Sequence, residues 1–378
     1  MSDPQRPDRP NHNPQDSESP DVSSARSSSD VTLGSTAAPP VQGGFRRFIE
    51  KAGRPLAILL FAVLLVALWV ENPQVSFNNF ISLTIRGIML GSIIAVSAIG
   101  LTLVYGVVKF PNFAHGDLMS AGAYVGLASL AVLPQTEQIG PFTFGWEFIL
   151  SLLISMPVVG GIAALADRLV YRPLRERSAG LVLLAMSSLG MAFFIRSLIY
   201  LIWGADFHFY YAGRLTPAVE LFSGIQIPPD QFFILGISLV LIVLTYLLLE
   251  RTKLGKAMRA TADNVDLAKV TGINTDRVIL WTWIIGGALA AIGGVLYGLN
   301  LQLRPTMGFF FLVPVFAAVI MGSIGNPYGA LVGGLIIGVI WMVSTMFVNS
   351  TYGPGMAFLV MILMLLVRPQ GIFGSRGA

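Results

Sequence analysis

From Phe45 onward the chain alternates long apolar runs with short polar stretches. The runs lie near residues 55–71, 78–106, 113–133, 147–169, 180–203, 230–250, 278–302, 309–323, 328–348 and 354–368. About 20 apolar residues in a helix cross a hydrocarbon layer of ~30 Å. Lipid offers no hydrogen bonds to a backbone, so runs of this length are predicted to be helices. The run at 309–323 is short and carries Pro314, and it is expected to be re-entrant or broken, covered by protein or a wet cavity. The pattern predicts an all-α, polytopic integral membrane bundle of eight to ten transmembrane helices over residues 45–374.

Residues 1–44 stand apart. They are rich in Pro, Ser, Asp and Asn and poor in aromatic and long aliphatic side chains, so they are expected to form a disordered tail, inert or regulatory. No apolar core follows a basic start there, so the tail does not read as a secretory signal. Composition agrees with the membrane class: 54% of residues are hydrophobic and 12% charged, against roughly 25% charged in soluble domains. The net charge of +4 averages over a nearly uncharged membrane domain and a few basic loops, and no nucleic-acid partner is expected. The absence of cysteine excludes disulfides and thiolate metal sites; no cofactor, metal or catalytic residue is expected.

Where the basic residues fall predicts orientation. Arg46, Arg47, Lys51 and Arg54 precede the first run, Arg168, Arg172, Arg175 and Arg177 follow the fourth, a basic loop follows the sixth, and Arg368 and Arg376 close the chain. The loops near 134–146 and 204–229 hold one Arg and no Lys, so both termini and the basic loop are expected in the cytoplasm.

That loop, Arg251 to Arg277, is the longest polar stretch between spans. Its middle alternates Ala, Leu and Val with Asp and Lys, as a short surface helix does, and it is expected to stop at Gly272. Elsewhere small residues recur every four positions: Gly87 and Gly91; Gly122 and Gly126; Gly286, Ala290, Gly294 and Gly298; Gly325, Gly329 and Gly333; Gly334 and Gly338. Such ladders let helix backbones approach closely, and some of these glycines would alternatively keep a pathway clear of side chains. In residues 100–124, Lys109, Pro111, Asn112, His115 and Asp117 interrupt an apolar run. Pro111 is predicted to break the helix and Asn112 to cap the next one, giving either a helix corner or a gate.

The same residues carry a resemblance. Tyr105, Asn112–Phe113–Ala114–His115–Gly116 and Gly122–Ala123–Tyr124 resemble the signature of bacterial branched-chain amino acid ABC importer permeases. Tyr171–Arg172–Pro173–Leu174–Arg175 with Ser188–Leu189–Gly190, the loop through Gly272–Ile273–Asn274–Thr275–Asp276–Arg277, Gly322–Ser323–Ile324–Gly325 and Arg368–Pro369–Gln370–Gly371 are similar to that family's later motifs, in order. The resemblance implies a plasma (inner) membrane permease subunit for neutral, especially branched-chain, amino acids, working by alternating access. It implies three kinds of partner: a second related permease, cytoplasmic ABC ATPase subunits, and a periplasmic or extracellular substrate-binding protein. The loop would couple to the ATPase through Asp263, Asn264, Asp266 and Lys269, with Leu267 or Val270 as apolar anchor and Gly272 ending the helix. Tyr105, Asn112, His115, Gly116, Gly322 and Gly325 are assigned to translocation or gating on the same ground. No phosphate-cradling Gly-rich loop ending in Gly-Lys-Ser/Thr occurs, so ATP is expected to be hydrolysed by a partner.

Two features depart from the resemblance: the long tail, and Trp341 after Gly338–Val339–Ile340, where many relatives have an acidic residue. A urea or short-amide permease is the alternative within the class. An ion-coupled carrier is the alternative outside it, with Arg86, Asp117 and Arg196 as its few deep charges and Arg196 expected to pair with a neighbouring subunit. The loop residues Asp206, His208, Tyr210, Tyr211 and Arg214 are read as a partner contact or as part of the interfacial aromatic belt.

Overall fold

A computed structural model describes residues 77–213, 218–220 and 226–374. The expected tail at 1–44, the first expected span at 55–71 and Arg214 lie outside the described residues. In chain order the helices are α1 (Phe77–Val108), α2 (His115–Val132), α3 (Trp146–Ala166), α4 (Arg172–Glu176), α5 (Leu181–Trp203) and α6 (Pro229–Arg251). They continue as α7 (Lys253–Asp263), α8 (Val265–Val270), α9 (Thr275–Asn300), α10 (Met307–Gly322), α11 (Pro327–Ser344) and α12 (Gly353–Val367). A π-turn at Asp167–Tyr171 joins α3 to α4, so those helices form one 31-residue span. Among the described residues the only sheet is a two-residue antiparallel hairpin, β1 (Val219–Glu220) with β2 (Gln226–Ile227).

Seven helices among the described residues are long and apolar enough to cross a membrane. They differ in what surrounds them. The most apolar stretch of α1 is 94% buried, against 28% in α5 and α6 and 17% in the last span. A helix that is apolar on every face belongs at a bundle's axis, whereas partly covered apolar helices face lipid. α1 is therefore the axis. α9 and α11 pack antiparallel to it where side chains are smallest: a Cβ on Gly87 would lie 2.6 Å from the Val339 Cα, and one on Gly334 2.6 Å from the Ala95 Cα. Close backbone packing is thus the role of most of the glycine ladder.

α2 and α10 start inside the bundle. His115, the first residue of α2, holds the Ser97 carbonyl at 2.9 Å. Ser97 lies 108 − 97 = 11 residues from the end of α1, roughly 16 Å along its axis. α2 meets α10 at Gly116 and Gly308, where a Cβ on Gly308 would sit 2.6 Å from the Gly116 carbonyl carbon. The expectation for residues 309–323 is corrected in its cause: α10 runs unbroken through Pro314, and it is short because Met307 begins it at depth. Each half of the bundle repeats one order, a long helix (α1 or α9), a break, and a short helix starting at depth (α2 or α10). Because α9 runs antiparallel to α1, the bundle has an arm end, where α7 and α8 lie, and a far end, where α9 stops.

Candidate functional site

The polar arm is two helices rather than one. Thr252 caps α7, its Oγ1 accepting the Gly255 N–H at 3.0 Å, and Gly255 brings α7 against the last turn of α6. A Cβ at Gly255 would lie 2.5 Å from the Leu249 Cα, so the elbow admits no side chain there. Glu250 locks the elbow from outside: it accepts from Arg259 at 2.8 Å and from the Tyr328 hydroxyl at 2.6 Å, tying α6 to α7 and to the start of α11.

Asn264 is extended and separates the two arm helices. Its Oδ1 accepts the Leu267 N–H at 3.0 Å, capping α8. Gly272, at φ +85°, closes α8: the Ile273 N–H reaches the Ala268 carbonyl and the Gly272 N–H reaches that of Lys269, each at 3.0 Å. This is the Schellman arrangement, and its left-handed position is one that glycine fills without strain. Asn264 and Gly272 thus shape α8. Asp266, Leu267 and Lys269 are exposed on it, and Asp263 is exposed at the end of α7. Leu267 is 62% and Val270 85% exposed, an i, i+3 apolar pair facing away from the bundle. Asn274 then caps α9 through the Arg277 N–H at 3.0 Å, and Arg172 reaches Asp276 at 3.1 Å, binding the basic α4 segment to the root of the arm.

The residues assigned to gating fall into two groups. Tyr105 is half-buried near the end of α1, and its carbonyl accepts the N–H of Lys109, which sits at φ +62° where the helix breaks. One turn away, the Gly325 N–H donates to Thr102 Oγ1 at 2.9 Å, and Gly322 packs on Gly329, a Cβ on Gly329 falling 2.6 Å from the Gly322 carbonyl carbon. A cleft of about 100 Å³ lies between Thr102, Gly106 and Gly325 on one side and Met258, Arg259 and Ala262 of α7 on the other. The structure therefore brings Gly325 against the arm.

The second group is the corner after α1. Asn112 does not cap α2; the N-cap position is Ala114, which makes no side-chain cap. Instead Asn112 is buried and its Oδ1 accepts the Ala114 N–H at 3.1 Å, an Asx turn that turns the chain back into the bundle. Ser188 of α5 holds the corner, its Oγ accepting the Phe113 N–H at 3.0 Å while its own proton goes to the Ala185 carbonyl at 2.7 Å. Beneath it Phe110, Tyr171 and Trp283 form one buried aromatic cluster, with Tyr171 stacked on Trp283 at 5.1 Å.

Below this corner, Arg196 donates twice to Asp117, Nε to Oδ1 and Nη2 to Oδ2, each at 2.8 Å. The Asp117 side chain is fully buried and the guanidinium lies over the Phe309 ring at 4.6 Å. The expectation that Arg196 pairs with a neighbouring subunit is thereby corrected: its partner is in its own chain, 79 residues away. In the far loop, His208 exchanges backbone hydrogen bonds with Leu303, and the Tyr210 and Tyr211 hydroxyls donate to the Ala123 carbonyl at 2.8 Å and to Glu147 at 3.1 Å, so these two tyrosines brace the far end from within, while Asp206 is exposed.

An axial helix buried along its apolar stretch, short helices beginning at depth and a polar arm at one end define a multi-pass helical membrane protein. The chain belongs to the family described as branched-chain amino acid transport system, permease component, whose model matches residues 83–367. Its relatives include a high-affinity branched-chain amino acid transport system permease protein LivH of Escherichia coli K12, 33% identical over 79% of this chain and 96% of that protein. The BraD permease protein of Pseudomonas aeruginosa is 30% identical over 78% of this chain and 96% of its own length. A probable LivM permease protein of Methanocaldococcus jannaschii is 26% identical over 74% of this chain and 90% of its own.

Proposed function

We propose that this protein is the membrane permease of an ATP-driven importer of branched-chain or other neutral amino acids. The observation that carries the reading is the exposed Leu267–Val270 pair on a two-helix arm that is locked to α6, α9 and α11, within a chain that matches amino acid permeases along its membrane domain. An apolar pair on a polar, solvent-facing helix is a docking feature. The arm sits in a groove of a separate ATPase, with Asp263, Asp266 and Lys269 making polar contacts around Leu267 and Val270. The bias of the basic clusters toward one set of loops supports a cytoplasmic arm and cytoplasmic termini in an inner membrane protein.

ATP-driven closure of the motor moves the arm. The Gly255 elbow, the Glu250 contacts and the Gly325 turn pass that movement to α6, α1 and α11, which alternate between outward-open and inward-open arrangements. The partner membrane subunit is a second, related permease, since Methanocaldococcus jannaschii carries both a probable LivH and a probable LivM and this chain is similar to each. A substrate-binding protein delivers cargo at the far end. An ion-coupled carrier needs several unpaired charges at depth; of Arg86, Asp117 and Arg196, the last two neutralise each other and only Arg86 is left without a carboxylate among the described residues.

The test is Asp263→Arg combined with Leu267→Arg. The expected result is a chain that still inserts in the membrane but no longer co-purifies with its ATPase. Undiminished co-purification would contradict the docking role.

A further inference from the structure

Arg86 of α1 is the deep charge that the fold leaves without a carboxylate: among the described residues no acidic side chain pairs with it. One of its Nη atoms donates to the Gln226 carbonyl at 3.1 Å, and its Nε is buried with no partner. It borders a cavity of about 260 Å³ between α1, α6, α9 and α11. In the same cavity the Gln231 amide nitrogen donates to Asn300 Oδ1 at 3.2 Å, leaving Gln231 Oε1 buried and unmatched. Leu90, Ile93, Ile234 and the Trp341 ring supply apolar wall.

A guanidinium N–H and a carbonyl oxygen left open in such surroundings cost free energy until both are matched. The guanidinium calls for a carboxylate, which it can bind as a fork. Gln231 Oε1 calls for an N–H donor, and an ammonium is a strong one. The wall calls for an aliphatic group. A free α-amino acid with an aliphatic side chain offers all three in one small molecule. The cavity has room for a solute of that size. We propose that this cavity is a zwitterion site on the transport path, in which Arg86 takes the carboxylate, Gln231 the ammonium and the wall around Trp341 the side chain. It lies at the far end of α9, beside Tyr297 and Asn300, roughly 33 Å along that helix from the arm. In the proposed orientation it lies toward the binding protein's side of the bundle, away from the arm. The site rests on the amino acid importer reading, and the test separates the two.

The complete importer, reconstituted in vesicles with its partner permease, ATPases and binding protein, is assayed for ATP-dependent uptake of radiolabelled L-leucine. Arg86→Met and Gln231→Glu are each expected to cut uptake by about tenfold or more, the latter because its carboxylate pairs with Arg86, and Arg86→Lys to retain part of it. ATP hydrolysis stimulated by the loaded binding protein is expected to persist in all three. As a check free of mutation, leucine bound to the wild-type permease–ATPase complex without binding protein is expected to be displaced by excess leucine, but not by leucinamide or isovalerate, which each lack one charge. If the wild-type importer carries no leucine, the reading of the whole protein fails and the site with it. If it does, then equal uptake by the two variants, or equal displacement by leucinamide, overturns the site alone.

Discussion

Asp117 and Arg196 show how single residues hold this bundle. Each would be costly alone at depth, and the doubly hydrogen-bonded pair at 2.8 Å makes both tolerable while fastening α2 to α5. Removing one partner leaves the other unpaired, so Asp117→Leu and Arg196→Met are each expected to destabilise the chain by about 3–5 kcal/mol. Combining them is expected to restore much of that loss, read as recovery of the thermal midpoint of the detergent-solubilised protein; a double variant as unstable as the sum of the singles contradicts the pairing. The pair was only half legible in the sequence. Both residues stand out as charges among apolar runs, but nothing local says that positions 79 residues apart share a bond. Asn112 differed for a local reason: the chain turns sharply after Lys109, and the side chain serves that turn three residues before α2 begins.

At the scale of elements, the positions of the apolar runs were legible because hydropathy and length leave lipid-embedded segments few alternatives; the runs expected over the described residues match helices to within four residues at each end, except that the run 147–169 stops seven residues before the span that the π-turn carries on to Glu176. What the pattern did not carry is depth. α2 and α10 start inside the bundle because Gly116 and Gly308 let their backbones meet, a contact between distant segments. Gly116→Val is therefore expected to cost about 1–3 kcal/mol through overpacking, or to open the crossing, seen as a lower thermal midpoint. The arm was legible as polar and helical. Its division at Asn264 and its elbow at Gly255 were missed, although Asn264 three residues before Leu267 has the spacing of a cap. Gly255→Val is expected to leave the ATPase bound, since Leu267 and Val270 remain exposed, but to lower ATP-driven uptake several-fold by misaligning α7 with α6. Unchanged uptake would show that the elbow does not transmit movement.

For the whole molecule, the account requires that a cytoplasmic motor move a membrane bundle through one short lever. The absence of cysteine makes the sidedness of that lever directly measurable. In sealed native vesicles of each orientation, the single-cysteine variant Leu267→Cys is treated with a membrane-impermeant maleimide, with and without the ATPase present. The account predicts labelling only from the cytoplasmic face, and protection when the ATPase is bound. Labelling from the external face, or equal labelling with the ATPase present and absent, would contradict it.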